Sequence, residues 1–101
     1  RIILVSGRFD PLLAEHARAL DSVASRGVVF ACLSTPPEPL LSPGARAELT
    51  AALRSVSYVV NASRAEVETA IEPDEIVQRE DEDDRLAREL IRHVHQRQSA
   101  K

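Results

Sequence analysis

A short glycine-containing segment near the start of the chain combines residue types that could bind a charged ligand. Gly7, Arg8, Phe9 and Asp10 follow one another, and His16 comes shortly after them. The segment runs directly into a predicted helix, whose N-terminal amides and dipole could hold an anion. The segment is therefore the natural candidate for a ligand site.

The elements on either side of this segment would fix its position. Residues 2–5 form a continuous apolar, β-branched run, which predicts a strand buried on both faces of a sheet. Beyond the segment, apolar residues recur on one face of a predicted helix that ends near Gly27: Leu13, Ala17, Leu20 and Ala24. The candidate residues thus lie on a loop between a strand and a helix.

Three further strands are predicted over residues 28–33, 57–61 and 75–77, the last of them weak. Alternation of strands with helices implies a parallel sheet with right-handed crossovers. We therefore predict an α/β fold, a Rossmann-like three-layer sandwich with a parallel sheet of four to five strands. Residues 1–101 form a single domain by this interpretation, with 96–101 as a frayed tail.

Three further helices are predicted between and after these strands. Ser42 before Pro43 is a good start for the second helix, whose predicted inner face carries Ala45, Leu49, Ala52, Leu53 and Val56. Ser63 and Glu66 have the capping-box spacing that opens a third helix, which ends before Pro73. The last helix follows the consecutive acids 80–84 and carries Leu86, Leu90 and Val94.

Charge and composition exclude several classes of partner. A net charge of −3 provides no basic field for nucleic acid. No stretch reaches the length of about 20 apolar residues that a membrane helix needs, and residues 1–7 are too short for a signal peptide. Cys32 is a lone cysteine, and His93 and His95 point to different helix faces. We expect a cytoplasmic protein with no nucleic-acid partner, no membrane association, no intramolecular disulfide and no metal site.

Residues 7–12, Gly-Arg-Phe-Asp-Pro-Leu, resemble the G-x-F-D-P-x-H-x-G-H signature of the nucleotidylyltransferase superfamily. This superfamily includes cytidylyltransferases such as glycerol-3-phosphate cytidylyltransferase, and the transferase domain of ADP-heptose synthase. Residues 43–49 are similar to its P-x-x-R-A-E helix, 56–60 to the strand after it, and 66–77 to its next helix and strand. The resemblance therefore covers most of the chain in the right order.

The resemblance implies an activity and a set of site residues. The reaction would transfer a nucleotidyl group from CTP or ATP to a small phosphorylated substrate and release pyrophosphate, with Mg²⁺ neutralising the triphosphate. His16 would be the catalytic residue, and the nucleotide-binding residues would be Gly7, Arg8, Phe9, Asp10 and Arg46. Family relatives often dimerise, so a homodimer is a further expectation.

The chain departs from the family pattern at several catalytic positions. Leu13 stands in place of the first motif histidine and Glu15 in place of the motif glycine. The loop 34–41 contains no lysine to meet a triphosphate, and the acids 80–84 stand where the family has a phosphate-binding helix start. The alternative function is therefore a catalytically impaired relative that acts as a nucleotide-binding or protein-interaction module.

Each candidate residue also has a purely structural interpretation. His16 and Arg8 would face solvent, Asp10 would form a turn and cap a helix, and Arg46 would lie on a solvated helix surface. The acids 80–84 would form a capped, solvated helix start, or a regulatory or partner-binding segment. A different α/β fold is a third possibility, although no G-x-G-x-x-G follows the first strand as dinucleotide binding would require.

Overall fold

A computed structural model describes residues 1–10, 12–36, 39–60 and 62–99, with side chains described as far as residue 97. Over these residues strands and helices alternate as β1 (Ile2–Gly7), α1 (Ala14–Ala24), β2 (Val28–Leu33), α2 (Pro43–Ala51), β3 (Tyr58–Val60), α3 (Arg64–Ile71), β4 (Glu75–Gln78) and α4 (Glu80–Ser99). The predicted α/β alternation is confirmed. Among the described helices, none has the length and apolarity to cross a membrane.

The strands form one parallel sheet in the order β3-β2-β1-β4. The central strand β1 pairs with β2 on one side, where Ile3 lies opposite Val29, and with β4 on the other, where Ile3 lies opposite Glu75. The order of the strands reverses between β1 and β4. Parallel α/β sheets bind ligands beyond the carboxyl ends of the strands at such a reversal, and the β1–α1 loop lies there.

Both faces of the sheet are covered by helices, which confirms the Rossmann-like layered arrangement. On one face, Ile3 and Val5 of β1 pack with Leu20 and Val23 of α1. On the other face, Leu4 and Cys32 pack with Val67 of α3. Because β1 is buried on both faces, the loop that follows it starts from a rigid base.

Serine side chains start two of the helices as predicted. Ser42 Oγ accepts a hydrogen bond from the Ala45 amide at 3.1 Å, and Ser63 Oγ accepts one from the Glu66 amide at 3.2 Å. Each satisfies an amide that has no partner within its own helix.

We expect Ser42→Ala and Ser63→Ala each to lower the free energy of unfolding by about 1 kcal/mol, because each removes an N-cap acceptor. Urea denaturation would measure the change. Ser22→Ala on the exposed side of α1 is the matched control, and we expect it to stay within about 0.5 kcal/mol of the parent. Equal effects for all three serines would contradict the capping role.

The predicted inner face of α2 is wrong at Leu49 and Ala52, which are exposed, whereas Val56 is buried in the core and Leu53 packs against it as predicted. Arg46 and Thr50 are buried instead. The reason is a polar interaction, since the Arg46 guanidinium reaches inward to the Ser34 carbonyl just after β2, and the Thr50 hydroxyl donates to the Arg46 carbonyl at 2.8 Å. The helix is therefore rotated so that these two residues, one turn apart, face the sheet.

The chain end also differs from its prediction. The sequence predicts fraying over 96–101, but α4 continues to Ser99, and 100–101 lie outside the described residues. Every residue from Ile91 to Arg97 is exposed. Two positions used in the predictions, Pro11 of the motif and Asn61 at the end of the third strand, also lie outside the described residues.

Candidate functional site

The β1–α1 loop turns sharply at a residue with left-handed backbone. Phe9 has φ of 48°, and its side chain is fully buried. Its ring lies against that of His16, with 5.4 Å between the ring centroids. A left-handed backbone at a residue other than glycine costs about 1–3 kcal/mol and persists only where the surroundings enforce it. Here the turn aims the amides of Arg8 and Phe9 at one acceptor.

That acceptor is a carboxylate from the beginning of α4. Asp83 Oδ2 accepts hydrogen bonds from the amides of Arg8, at 2.8 Å, and Phe9, at 3.4 Å. The Asp83 residue is only 3% exposed. Adjacent backbone amides converging on one oxygen are the arrangement by which such loops hold a phosphate. The anion position of the loop is therefore filled by the chain's own carboxylate.

His16 lies beside this carboxylate and is buried, at 1% exposure. Its Nδ1 accepts a hydrogen bond from the Leu13 amide at 2.9 Å, which assigns the ring proton to Nε2. Nε2 is 2.8 Å from Asp83 Oδ1, but the contact is not aligned as a hydrogen bond, and neither atom has another hydrogen-bond partner among the described residues. The interpretation of His16 as solvent-facing is wrong, and its catalytic role stays a prediction.

Two arginines near the loop also face the acids of α4. Arg8 makes a two-point pair with Asp84, with Nε to Oδ1 at 2.9 Å and Nη2 to Oδ2 at 3.3 Å, and its Nη1 donates to the Thr35 carbonyl. Arg79 Nε lies 3.7 Å from Asp83 Oδ1. The interpretation of Arg8 as free in solvent is therefore wrong. Its guanidinium is occupied where a phosphate would compete for it.

Asp10 is engaged on a neighbouring loop. Its two carboxylate oxygens accept hydrogen bonds from the amides of Leu40, at 2.6 Å, and Leu41, at 2.7 Å. The residue is buried. Asp10 therefore fixes the segment before α2 against the β1–α1 loop, which differs from the predicted role of capping its own helix.

Arg46 is almost completely buried, at 1% exposure, so its interpretation as a solvated helix surface is wrong. Its Nη1 donates to the carbonyls of Ser34, at 2.9 Å, and Arg8, at 3.3 Å. Its Nη2 contacts the Thr35 hydroxyl at 3.4 Å, and its Nε has no hydrogen-bond partner among the described residues.

Among the cavities that the described residues form at this edge of the sheet, two border the predicted site residues. One, of about 290 Å³, lies between the β1–α1 loop and α4 and is lined by residues that include Arg8, Asp10, Asp83, Asp84 and Arg88. The other, of about 490 Å³, lies at the ends of β2 and β3 and is lined by Leu33, Thr35, Pro43, Arg46, Ala62 and Ser63. The predicted residues Gly7, Arg8, Phe9 and His16 thus gather around Asp83, whereas Arg46 borders the second cavity.

Gly7 allows Asp83 to approach the loop. A Cβ added at Gly7 would lie 2.6 Å from Asp83 Oδ2 and 3.0 Å from the Phe9 ring. We expect Gly7→Ala to lower the free energy of unfolding by about 1–3 kcal/mol, because the carboxylate or the ring must move. Thermal or urea denaturation would measure the loss.

Gly44 on α2 provides the matched control for Gly7, because a Cβ there meets nothing within 4 Å. We expect Gly44→Ala to stabilise the protein by about 0.5–1 kcal/mol, since alanine restricts the unfolded chain and favours the helix. If both substitutions had the same sign, the close approach of Asp83 to Gly7 would be contradicted.

Sequence reasoning missed Asp83, Asp84 and Arg79 as members of this cluster. A signal for Asp83 was present in the spacing, because it lies one turn before Leu86 and two before Leu90, on the apolar side of the helix. An acid in line with buried leucines requires a buried partner. Because Asp83 is one of five consecutive acids, its inward position could not be distinguished from that of its neighbours by residue type.

The resemblance also implies Mg²⁺, and the described residues provide no cage of protein ligands for it. The described residues contain no group of three or more potential metal ligands. The carboxylates of Glu80, Asp83 and Asp84 already accept from Ser6, from the loop amides and from Arg8. Each of these acids is therefore committed to a donor of the protein itself rather than to a shared cation.

A scan against models of known protein families finds no match to this chain, and a search of curated proteins finds no significantly similar sequence.

Proposed function

We propose that this protein is a non-catalytic relative of the nucleotidylyltransferases that keeps the fold as a ligand-binding module. The observation that carries the proposal is the Asp83 carboxylate on the amides of Arg8 and Phe9. In a transferase, those amides would face a phosphate of the nucleotide.

Electrostatics supports this assignment. Two like charges 4 Å apart repel by about 4 kcal/mol at an effective dielectric constant of 20, and a triphosphate would meet Asp83, Asp84 and Glu80 together. Fewer donors are available to offset this repulsion, because the Leu13 side chain has no donor and the Arg8 guanidinium is paired with Asp84. Each lost donor to transition-state charge costs about 3–4 kcal/mol. Their combined loss leaves little capacity for nucleotidyl transfer.

An active nucleotidylyltransferase is the second candidate, and one observation favours it. His16 Nε2 and the amides of Arg8 and Phe9 all converge on the same carboxylate, Asp83. If a nucleotide displaced the first turns of α4, these donors would face one phosphate. Transferase activity then requires that the start of α4 move away from the loop, which would break the hydrogen bonds and ion pair of Asp83 and Asp84 with the loop.

A pyrophosphate-release assay separates the two functions. The protein is incubated with CTP or ATP, Mg²⁺ and glycerol phosphate, alongside His16→Ala and Asp83→Asn, with folding of each variant checked by circular dichroism. We expect no release above background from the parent. Release that His16→Ala abolishes and the exposed-site control Asp81→Asn preserves would overturn the proposal in favour of the transferase.

Binding is tested in parallel by thermal shift with CTP, ATP and their monophosphates, with and without Mg²⁺. A ligand present at 100 times its Kd stabilises a protein by about 2.7 kcal/mol, so binding at the loop would be visible. We expect no Mg²⁺-dependent shift with either triphosphate. A clear shift that Asp83→Asn enlarges would show that the loop still accepts nucleotide.

A further inference from the structure

Arg46 is a buried charge without a counter-ion among the described residues. Its described partners are the carbonyls of Ser34 and Arg8 and the hydroxyl of Thr35, all of which are neutral. A buried ion is costly unless an opposite charge compensates it. The described residues therefore provide the guanidinium with no anion.

The Nε and Nη2 atoms, which are buried and have the fewest partners among the described residues, form the edge of this guanidinium that is suited to an oxyanion. Nη1 is used by two carbonyls, whereas Nη2 has one long contact and Nε has none among the described residues. Nε and Nη2 lie side by side and match two oxygens of one carboxylate or phosphate.

Arg46 lines the cavity of about 490 Å³, which is the size of a metabolite site. Pro43, the first residue of α2, and Ser63, the N-cap of α3, line the same cavity. The positive ends of two helix dipoles therefore border one space, and the Thr35 hydroxyl can add a donor. Helix ends, hydroxyl and guanidinium all favour negative charge there.

We propose that this cavity binds the oxyanion group of a small metabolite, a phosphate monoester or a carboxylate, with Arg46 as its counter-ion. The proposal rests on the assignment of the protein as a binding module and adds the ligand class. It places the ligand at the ends of β2 and β3, away from the loop position that Asp83 fills.

Calorimetric titration with inorganic phosphate and, separately, with acetate tests the site, with chloride at equal ionic strength as the reference. We expect one of these anions to bind, and Arg46→Lys to weaken its Kd at least about tenfold because lysine cannot present two parallel donors. Arg54→Lys on the exposed surface is the matched control and should leave the Kd unchanged. Tighter binding of phosphate or of acetate identifies which oxyanion the site prefers.

Thr35→Leu keeps the test decisive if Arg46→Lys fails to fold, because Thr35 is exposed and leucine would obstruct the cavity. We expect it to abolish anion binding. Absence of binding by both anions, or the same Kd in parent and Thr35→Leu, would overturn the proposal.

Asp83→Asn separates this site from the β1–α1 loop. We expect the anion Kd to be unchanged in this variant, and a Kd that shifts about tenfold would place the anion in the loop and overturn the Arg46 site. Pyrophosphate release by the parent would overturn the non-catalytic assignment. The Arg46 site would still be tested separately by the anion titrations of Arg46→Lys and Thr35→Leu.

Discussion

Asp83→Ala is expected to lower the free energy of unfolding by about 3 kcal/mol, because a buried donor left without an acceptor costs about 1–3 kcal/mol. The substitution removes the acceptor of the Arg8 and Phe9 amides and the carboxylate beside His16 Nε2. Water entering from the adjacent cavity would satisfy part of this loss, which keeps the total below the upper end of the sum for the two amide donors. Urea denaturation with a constant m-value would measure it.

Asp83→Asn should cost about half as much as Asp83→Ala. Its amide oxygen can still accept from the loop, while its NH₂ would meet the protonated Nε2 of His16. Asp81→Ala, an exposed acid on the same helix, should change the stability by less than about 0.5 kcal/mol. If Asp83→Ala lowered the stability no more than the Asp81→Ala control does, the hydrogen bonds of Asp83 to the loop amides would be contradicted.

Phe9→Ala is expected to cost about 3–5 kcal/mol, the usual range for removing a buried aromatic ring. The ring is fully buried in the same cluster as Ile3, Val5 and Leu20. Alanine would leave a void there while keeping the strained left-handed backbone, whose φ is 48°. The substitution would also remove the ring that packs against His16.

Tyr58→Ala is the matched control for Phe9→Ala. Tyr58 stacks on Phe30 but is 57% exposed, so its loss should cost less than about 1.5 kcal/mol. Chemical denaturation of both variants in one buffer compares them directly. Similar losses for the two aromatics would contradict the burial of the β1–α1 turn.

The order of elements was predictable because it depends on local patterns. Runs such as 2–5 and 28–33 are short, apolar and without alternation, which is typical of strands covered on both faces. Ser42 and Ser63 mark helix starts by their own side-chain chemistry, and both form the expected bonds. These signals lie within a few residues of one another and need no knowledge of the tertiary fold.

The details of the site were not predictable because they depend on contacts between distant segments. Arg46 faces inward because the carbonyls of Ser34, after β2, and Arg8, after β1, accept hydrogen bonds from it. The Asp83 side chain accepts a hydrogen bond from an amide far earlier in the chain rather than from the start of its own helix. In both cases a polar group overrides a hydrophobic pattern, and the partner's position is set by the sheet rather than by spacing.

The position of β1 in the middle of the sheet has a consequence for how the chain folds. Its neighbour β4 is the last of the described strands, since Ile3 pairs with Glu75, and β2, β3 and their helices must be made before the pair can form. Such non-local pairing slows folding, because the entropy of closing a long loop is lost before the stabilising contacts form. During synthesis, β1, the most buried of the described strands, would emerge before the other three and wait longest for its second neighbour. This interval is when the chain is most exposed to aggregation and when a chaperone would have most to protect.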